Sequence, residues 1–203
     1  VRAGADAPAL LHRGVGDDLP LMRWLHERIW PLEAKLVSPE FVRDGSLLAC
    51  GEMLLSGITC VNDMYFFPEE MAEAANAFSM RAAVGIIVIE FPSAYASSAG
   101  EYLRKGLELR DRLRDEPLLS FCLAPHAPYT VSDASFERIA ELTGELGLPV
   151  HCHLHETAQE VAVEALKVQR RARIDLLGKR YCQSPRGPQN LHHGHLQRRR
   201  GFQ

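Results

Sequence analysis

No stretch of this 203-residue chain approaches the ~20 consecutive apolar residues that a membrane span needs. Its first residues carry neither the charged nor the apolar region of a secretory signal. The five cysteines (Cys50, Cys60, Cys122, Cys152 and Cys182) are scattered, odd in number and free of CxxC spacing. A disulfide scaffold and a zinc ribbon are therefore poor readings. Reduced thiols in a cytoplasmic protein, three of them core residues, are the expectation. No GxGxxG or Walker loop follows any expected strand, which weakens a nucleotide-binding open sheet. There is no internal repeat, and no recognisable nucleic-acid module.

What is present is an ordinary globular composition, 46% hydrophobic and 24% charged, with a length that suits one domain and a real core. The net charge of −3 conceals a split. From Lys167 to Gln203 there are ten Lys and Arg against Asp175 alone, which leaves −12 for the first 166 residues. Clear periodicity fades at the same place. We expect a body over residues 1–166 and a basic tail over 167–203, irregular or contributing a sixth strand. Such a tail can bind nucleic acid. With Tyr181 and Phe202 its only aromatic residues, it reads first as a segment poorly matched to the body. A homo-oligomer is allowed by this composition, and a membrane partner is not expected.

The richest stretch is Leu148 to Thr157, Leu-Pro-Val-His-Cys-His-Leu-His-Glu-Thr. Leu148 to Cys152 is a short apolar run after Gly147, the pattern of a buried strand. If it stayed extended, His151, His153 and His155 would share one face. Thr157 with Glu160 forms a capping box for a helix over about 158–168. His153 and Glu156 then stand where a strand hands over to a helix, the rim at which parallel α/β folds bind ligands. A neutral imidazole is a good zinc ligand, and a carboxylate three residues on can move protons there.

Upstream, a short helix is expected over Leu21–Ile29, ended by Trp30-Pro31-Leu32-Glu33. Ser38 caps a second helix that stops at Gly57. Strands over 58–62, 82–89, 118–123 and 148–153 alternate with helices near 68–78, 100–114 and 132–147. The strands are mostly continuous apolar runs, which implies a parallel sheet covered by helices. Asn62 and Asp63, Glu90, His126, and His153 with Glu156 fall at successive strand ends, as in a (β/α)8 barrel enzyme. For Asp63 and Glu90 the simpler reading is that they cap the helices that follow.

His153-Leu154-His155-Glu156-Thr157, Ala124-Pro125-His126-Ala127-Pro128-Tyr129, Gly57 to Phe66, and Asp18-Leu19-Pro20-Leu21-Met22 with Trp24-Leu25 together resemble the amidohydrolase superfamily. Within it they look most like the 5-methylthioadenosine/S-adenosylhomocysteine deaminases and their chlorohydrolase-like relatives, over about Asp17 to Val161. The resemblance implies a partial TIM-type barrel with its C-terminal strands missing. It also implies metal-dependent hydrolytic deamination of a 6-aminopurine nucleoside. By the same resemblance His153 and His192 are metal ligands, zinc first and iron as the alternative. Glu156 shuttles a proton, His126 lies near the substrate, and Glu33 holds ribose hydroxyls.

The sequence departs from that pattern where the family carries His-x-His, because Gly4 and Asp6 occupy those positions. Gly4 offers no ligand atom. An impaired or inactive chain with weakly bound or absent metal is therefore expected. The alternatives are a non-catalytic remnant of the same superfamily, or a hydrolase of another aminated or chlorinated N-heterocycle.

Overall fold

A computed structural model describes residues 2–5, 7–16 and 18–162. The expected boundary at residue 166, the basic tail and His192 lie outside the described residues, as does Asp6. Four strands, β1 (Arg2–Ala5), β2 (Cys60–Asp63), β3 (Arg81–Val88) and β4 (Leu119–Pro125), form one sheet in the order β1-β2-β3-β4. Every pairing is parallel. Between them run α1 (Leu21–Trp24), α2 (Trp30–Leu36), α3 (Pro39–Leu55), α4 (Pro68–Ala77) and α5 (Ala99–Leu113); α6 (Asp133–Leu146) follows β4. A 3₁₀ turn, Ala7–His12, leads out of β1. The sequential parallel order is that of a (β/α) barrel arc, because each crossover carries a helix over one face.

Both faces of β3 are covered, which explains why it reads as an unbroken apolar run. Val84, Ile86 and Val88 enter the main core with Ala49 and Met53 of α3, Met71 of α4, Leu103 of α5 and Ile139 of α6. Ile87 and Ile89 join Met64, Tyr95 and Tyr102 in a second cluster. Gly85 sits where strands approach most closely. A Cβ there would lie 2.5 Å from the Asp63 carbonyl oxygen and 3.0 Å from Ala124 Cβ, so only glycine fits without a shift. Ser38 caps α3 as expected, its Oγ accepting from Phe41 N at 3.2 Å, and the chain leaves that helix through Gly57 at φ +78°.

Two expected elements are corrected. The first helix does not end at Trp30-Pro31-Leu32-Glu33 but continues to Leu36, through a π turn over Leu25–Ile29. The Trp30 N–H returns to Leu25 O, and Pro31 falls in the first turn of the renewed helix, where its missing N–H costs nothing. The segment 148–153 is not a full strand. It makes a single parallel bridge, Leu123 to Val150, with Leu123 N donating to Pro149 O and His151 N to Leu123 O. Pro149 has no N–H to give on one side of the bridge and Pro125 of β4 none on the other, so the regular ladder stops there; the next contact is His153 N–H to His126 O. The segment still lies parallel against β4, in the expected place. The helix after it begins at residue 158 and is described to residue 162.

Candidate active site

The C-terminal ends of the strands converge on a cavity of about 560 Å³. The π turn sets one wall. Trp24 and Ile29, and Leu25 and Trp30, are pairs five residues apart, the spacing of an i→i+5 turn, and all four line the cavity. Tyr65, Phe66 and Phe91 add aromatic surface from the loops after β2 and β3.

Two polar groups from the expected set reach this space, Glu33 from α2 and His126 from the end of β4. Tyr65 donates its hydroxyl to Glu33 Oε1 at 2.6 Å. Partial burial raises the Glu33 pKa, and the Tyr65 hydrogen bond offsets part of that rise. His126 Nδ1 lies 2.8 Å from Thr130 Oγ1. Thr130 Oγ1 also accepts from Ala127 N and lies 3.1 Å from Ala127 O, which fixes the threonine beside the ring. Burial first, and the neighbouring His153 second, push the His126 pKa down to about 4, so its ring is neutral at pH 7.

His153 packs against His126 with ring centroids 5.2 Å apart, and its N–H donates to His126 O. His151 stands 6.1 Å from His153, buried, with its pKa lowered to about 4 by the same two causes. His155 does not share their face, because its left-handed backbone turns it out to solvent. Glu156 is exposed and accepts the Tyr129 hydroxyl at Oε2, 2.7 Å away. Burial first, and that contact second, raise the Tyr129 pKa. Glu160 holds the turn: its carboxylate takes His155 N at 2.8 Å and Glu156 N at 2.9 Å, while its own N–H donates to Thr157 Oγ1. Glu33 and His126 thus share the cavity, whereas His153 and Glu156 stand beside it and are not among its walls.

Asp63 and Glu90 differ from the simple capping expectation. Glu90 does cap a helix, but it is α6, through Ser132 N at 2.9 Å and Ser135 Oγ at 2.7 Å, and these bonds lower its pKa. Asp63 caps none. It is 2% exposed and its Oδ1 accepts from Ala7 N at 2.7 Å, tying the exit of β1 to β2. Burial raises its pKa to about 7, against the Ala7 hydrogen bond that lowers it. A folded pKa above the unfolded value means the native state binds the extra proton. The contribution to stability is therefore complete below pH ~4 and is lost as pH rises through about 7. Asp63→Asn keeps an acceptor for Ala7 and removes that loss. Its melting temperature relative to the parent should rise by roughly 8–16 °C between pH 4 and pH 8. Thermal melts across that range test this, and a constant difference would contradict it.

Sequence reasoning missed Tyr65, Tyr129 and the aromatic wall. Tyr65 and Tyr129 lie in the segments Asp63 to Phe66 and Ala124 to Tyr129, directly after strand ends, which was the available signal. It also missed His12, which lines the cavity and packs on Phe41 with ring centroids 5.2 Å apart. Both His12 ring nitrogens are buried without a hydrogen-bond partner among the described residues, and burial lowers the His12 pKa. Cys50 and Cys122 are buried, with pKa values pushed up to about 11 and about 12, so they are inert thiols.

The described donors do not make a metal centre. Gly4 contributes no donor atom, and among the described residues no group of three or more His, Cys, Asp or Glu is placed to hold an ion. His126, His151 and His153 neighbour one another at the strand ends but do not converge as the three protein ligands that a catalytic zinc needs.

Four sequential parallel strands, covering helices and polar side chains at the strand ends define an arc of a (β/α)8-type barrel with its rim site. The chain belongs to the amidohydrolase family, whose sequence model matches residues 10–181. It is 52% identical over 155 residues to the 5-methylthioadenosine/S-adenosylhomocysteine deaminase of Teredinibacter turnerae, covering 76% of this chain and 35% of that protein. To the protein of the same name from Saccharophagus degradans it is 48% identical over 173 residues, 83% of this chain and 39% of that one. The chain thus spans little more than a third of these curated relatives. An adenosine deaminase from Xanthomonas campestris, solved with bound zinc, superposes with a TM-score of 0.81 at 52% identity, covering 87% of this chain and 41% of that one. A guanine deaminase from C. acetobutylicum, at TM-score 0.73 and 20% identity, shares the fold alone. Among the described residues no helix is long and apolar enough to cross a membrane.

Proposed function

We propose that this chain carries the nucleoside-recognition part of a hydrolytic deaminase acting on a 6-aminopurine nucleoside, 5-methylthioadenosine or S-adenosylhomocysteine. The observation that carries this reading is the cavity itself. It has aromatic walls for a planar purine, a Tyr65-held carboxylate at Glu33 and a neutral imidazole at His126. Purines stack on aromatic faces, and a carboxylate is a natural acceptor for a pair of ribose hydroxyls. The names of the similar deaminases point the same way. His126 Nε2 meets an edge of the base, and Glu156, with Tyr129 on one oxygen, keeps the other for proton transfer. His153 and His192 remain the proposed ligands of a divalent metal, which when bound would supply an activated water.

Gly4 favours a second reading, in which the chain binds the nucleoside without converting it. Both readings require the cavity to bind, and the chain provides its own probe. Its two tryptophans are Trp24 and Trp30, and both are cavity walls. Titration with 5-methylthioadenosine should produce a saturable change in tryptophan fluorescence. No change up to millimolar nucleoside would remove both readings.

A further inference from the structure

The turn after β4 buries a hydroxyl against the one imidazole that lines the cavity from this side. Pro128 follows Ala127 and presets the second position of a β-turn, which the Thr130 N–H closes on Ala127 O at 3.0 Å. Thr130, four residues after His126, is thereby folded back to 5% exposure, with its Oγ1 2.8 Å from His126 Nδ1. The turn is tied to the sheet on both sides. Glu90 N donates to Thr130 O at 3.0 Å, and His126 N donates to Val88 O at 3.0 Å. The His126 ring also meets Tyr129 and His153 edge-on, with centroids 5.9 and 5.2 Å away. The hydroxyl thus ends on Nδ1, and no other described residue hydrogen-bonds to the ring.

The hydrogen-bonding capacity of the turn sets the direction of that contact. A carbonyl oxygen has two lone pairs, and Ala127 O already accepts the N–H groups of Thr130 at 3.0 Å and Val131 at 3.1 Å. The Thr130 hydroxyl stands 3.1 Å from the same oxygen, where it would be a third donor. One lone pair of that hydroxyl takes the Ala127 N–H at 3.1 Å. The O–H is then left for the shortest contact open to it, His126 Nδ1 at 2.8 Å. That separation is usual for a hydroxyl donor and short for an N–H donor. A neutral imidazole carries a single N–H, so a donor at Thr130 places it on Nε2.

We propose that Thr130 is a positioning residue whose hydroxyl donates to His126 Nδ1, so that the ring presents an Nε2–H donor to the cavity. For the ligand this rests on the nucleoside reading and deepens it, since an acceptor atom of the base is then what meets His126. The test is long-range 1H–15N NMR of the full chain at pH 8, where an imidazole of ordinary pKa is neutral. The His126 signals are assigned by their loss in His126→Gln. The parent should show a single tautomer protonated at Nε2. Thr130→Val, which keeps the shape without the hydroxyl, should show both tautomers, and Thr130→Ser should keep the parent pattern. By tryptophan fluorescence, 5-methylthioadenosine should bind Thr130→Val roughly 3–10-fold more weakly than the parent, and Thr130→Ser within about twofold of it. A ring protonated at Nδ1 in the parent or in Thr130→Ser would overturn the assignment. So would a single Nε2–H tautomer retained in Thr130→Val. If that variant does not fold, the parent and Thr130→Ser spectra carry the test, with Nε2–H in both supporting the role and Nδ1–H in either overturning it. A parent chain that binds no 5-methylthioadenosine would remove the nucleoside reading, while the spectra still decide the role of Thr130.

Discussion

Purified chain supplied with zinc is expected to bind it with a Kd no tighter than roughly 1 μM and to release no measurable ammonia from 5-methylthioadenosine or S-adenosylhomocysteine. The cause is local. A catalytic zinc takes about three protein ligands and keeps one position open. Gly4 lacks any side-chain donor, and among the described residues no group of three or more His, Cys, Asp or Glu is placed to hold an ion, the rim imidazoles His126, His151 and His153 included. Even loss of a residue that merely supports a ligand commonly costs 10–100-fold in affinity, so loss of a ligand itself should cost at least as much. Equilibrium dialysis against zinc, together with an ammonia assay, measures both halves of the expectation. Replacing Gly4→His and Asp6→His together should tighten zinc binding by at least about tenfold. Turnover in the parent chain that disappears in Glu156→Gln would contradict this account and show a working site.

The second large effect is expected at Glu33. Hydrogen bonds to a charged acceptor are worth about 1.5–3 kcal/mol each, and Glu33 is the only carboxylate proposed to face the ribose. Glu33→Ala should weaken nucleoside binding roughly 10–100-fold. Tyr65→Phe removes the hydroxyl that holds Oε1 at 2.6 Å without removing the acceptor, and should cost far less, roughly 2–5-fold. Titration of both variants by tryptophan fluorescence separates them. An unchanged Kd in Glu33→Ala, with the fold intact by circular dichroism, would place the ribose elsewhere.

Much of the frame was legible because its signals are local. The apolar runs at 82–89 and 118–123 are buried on both faces, so they carried strand identity on their own, and Ser38, Ser132 and Gly147 marked helix ends by mechanisms that operate within a few residues. The π turn was not legible, since Pro31 reads as a helix end unless a wider turn absorbs it. The segment after Gly147 was placed correctly but over-read as a strand, because its apolar pattern outweighed the donor missing at Pro149. The role of Asp63 was hidden for a different reason. Its partner, the Ala7 N–H, is 56 residues away, and no local pattern announces a contact formed only by tertiary packing. The same is true of the Tyr65–Glu33 pair, 32 residues apart, on which the proposed ribose site depends.

The central claim is that the nucleoside lies along the π-turn wall with its ribose at Glu33. A crystal structure of the chain with 5-methylthioadenosine tests it most directly. The account predicts adenine among the aromatic walls with an edge toward His126, and ribose hydroxyls within hydrogen-bond distance of the Glu33 carboxylate. Nucleoside found away from Trp30 and Glu33, or a cavity that stays empty at saturating nucleoside, would contradict it.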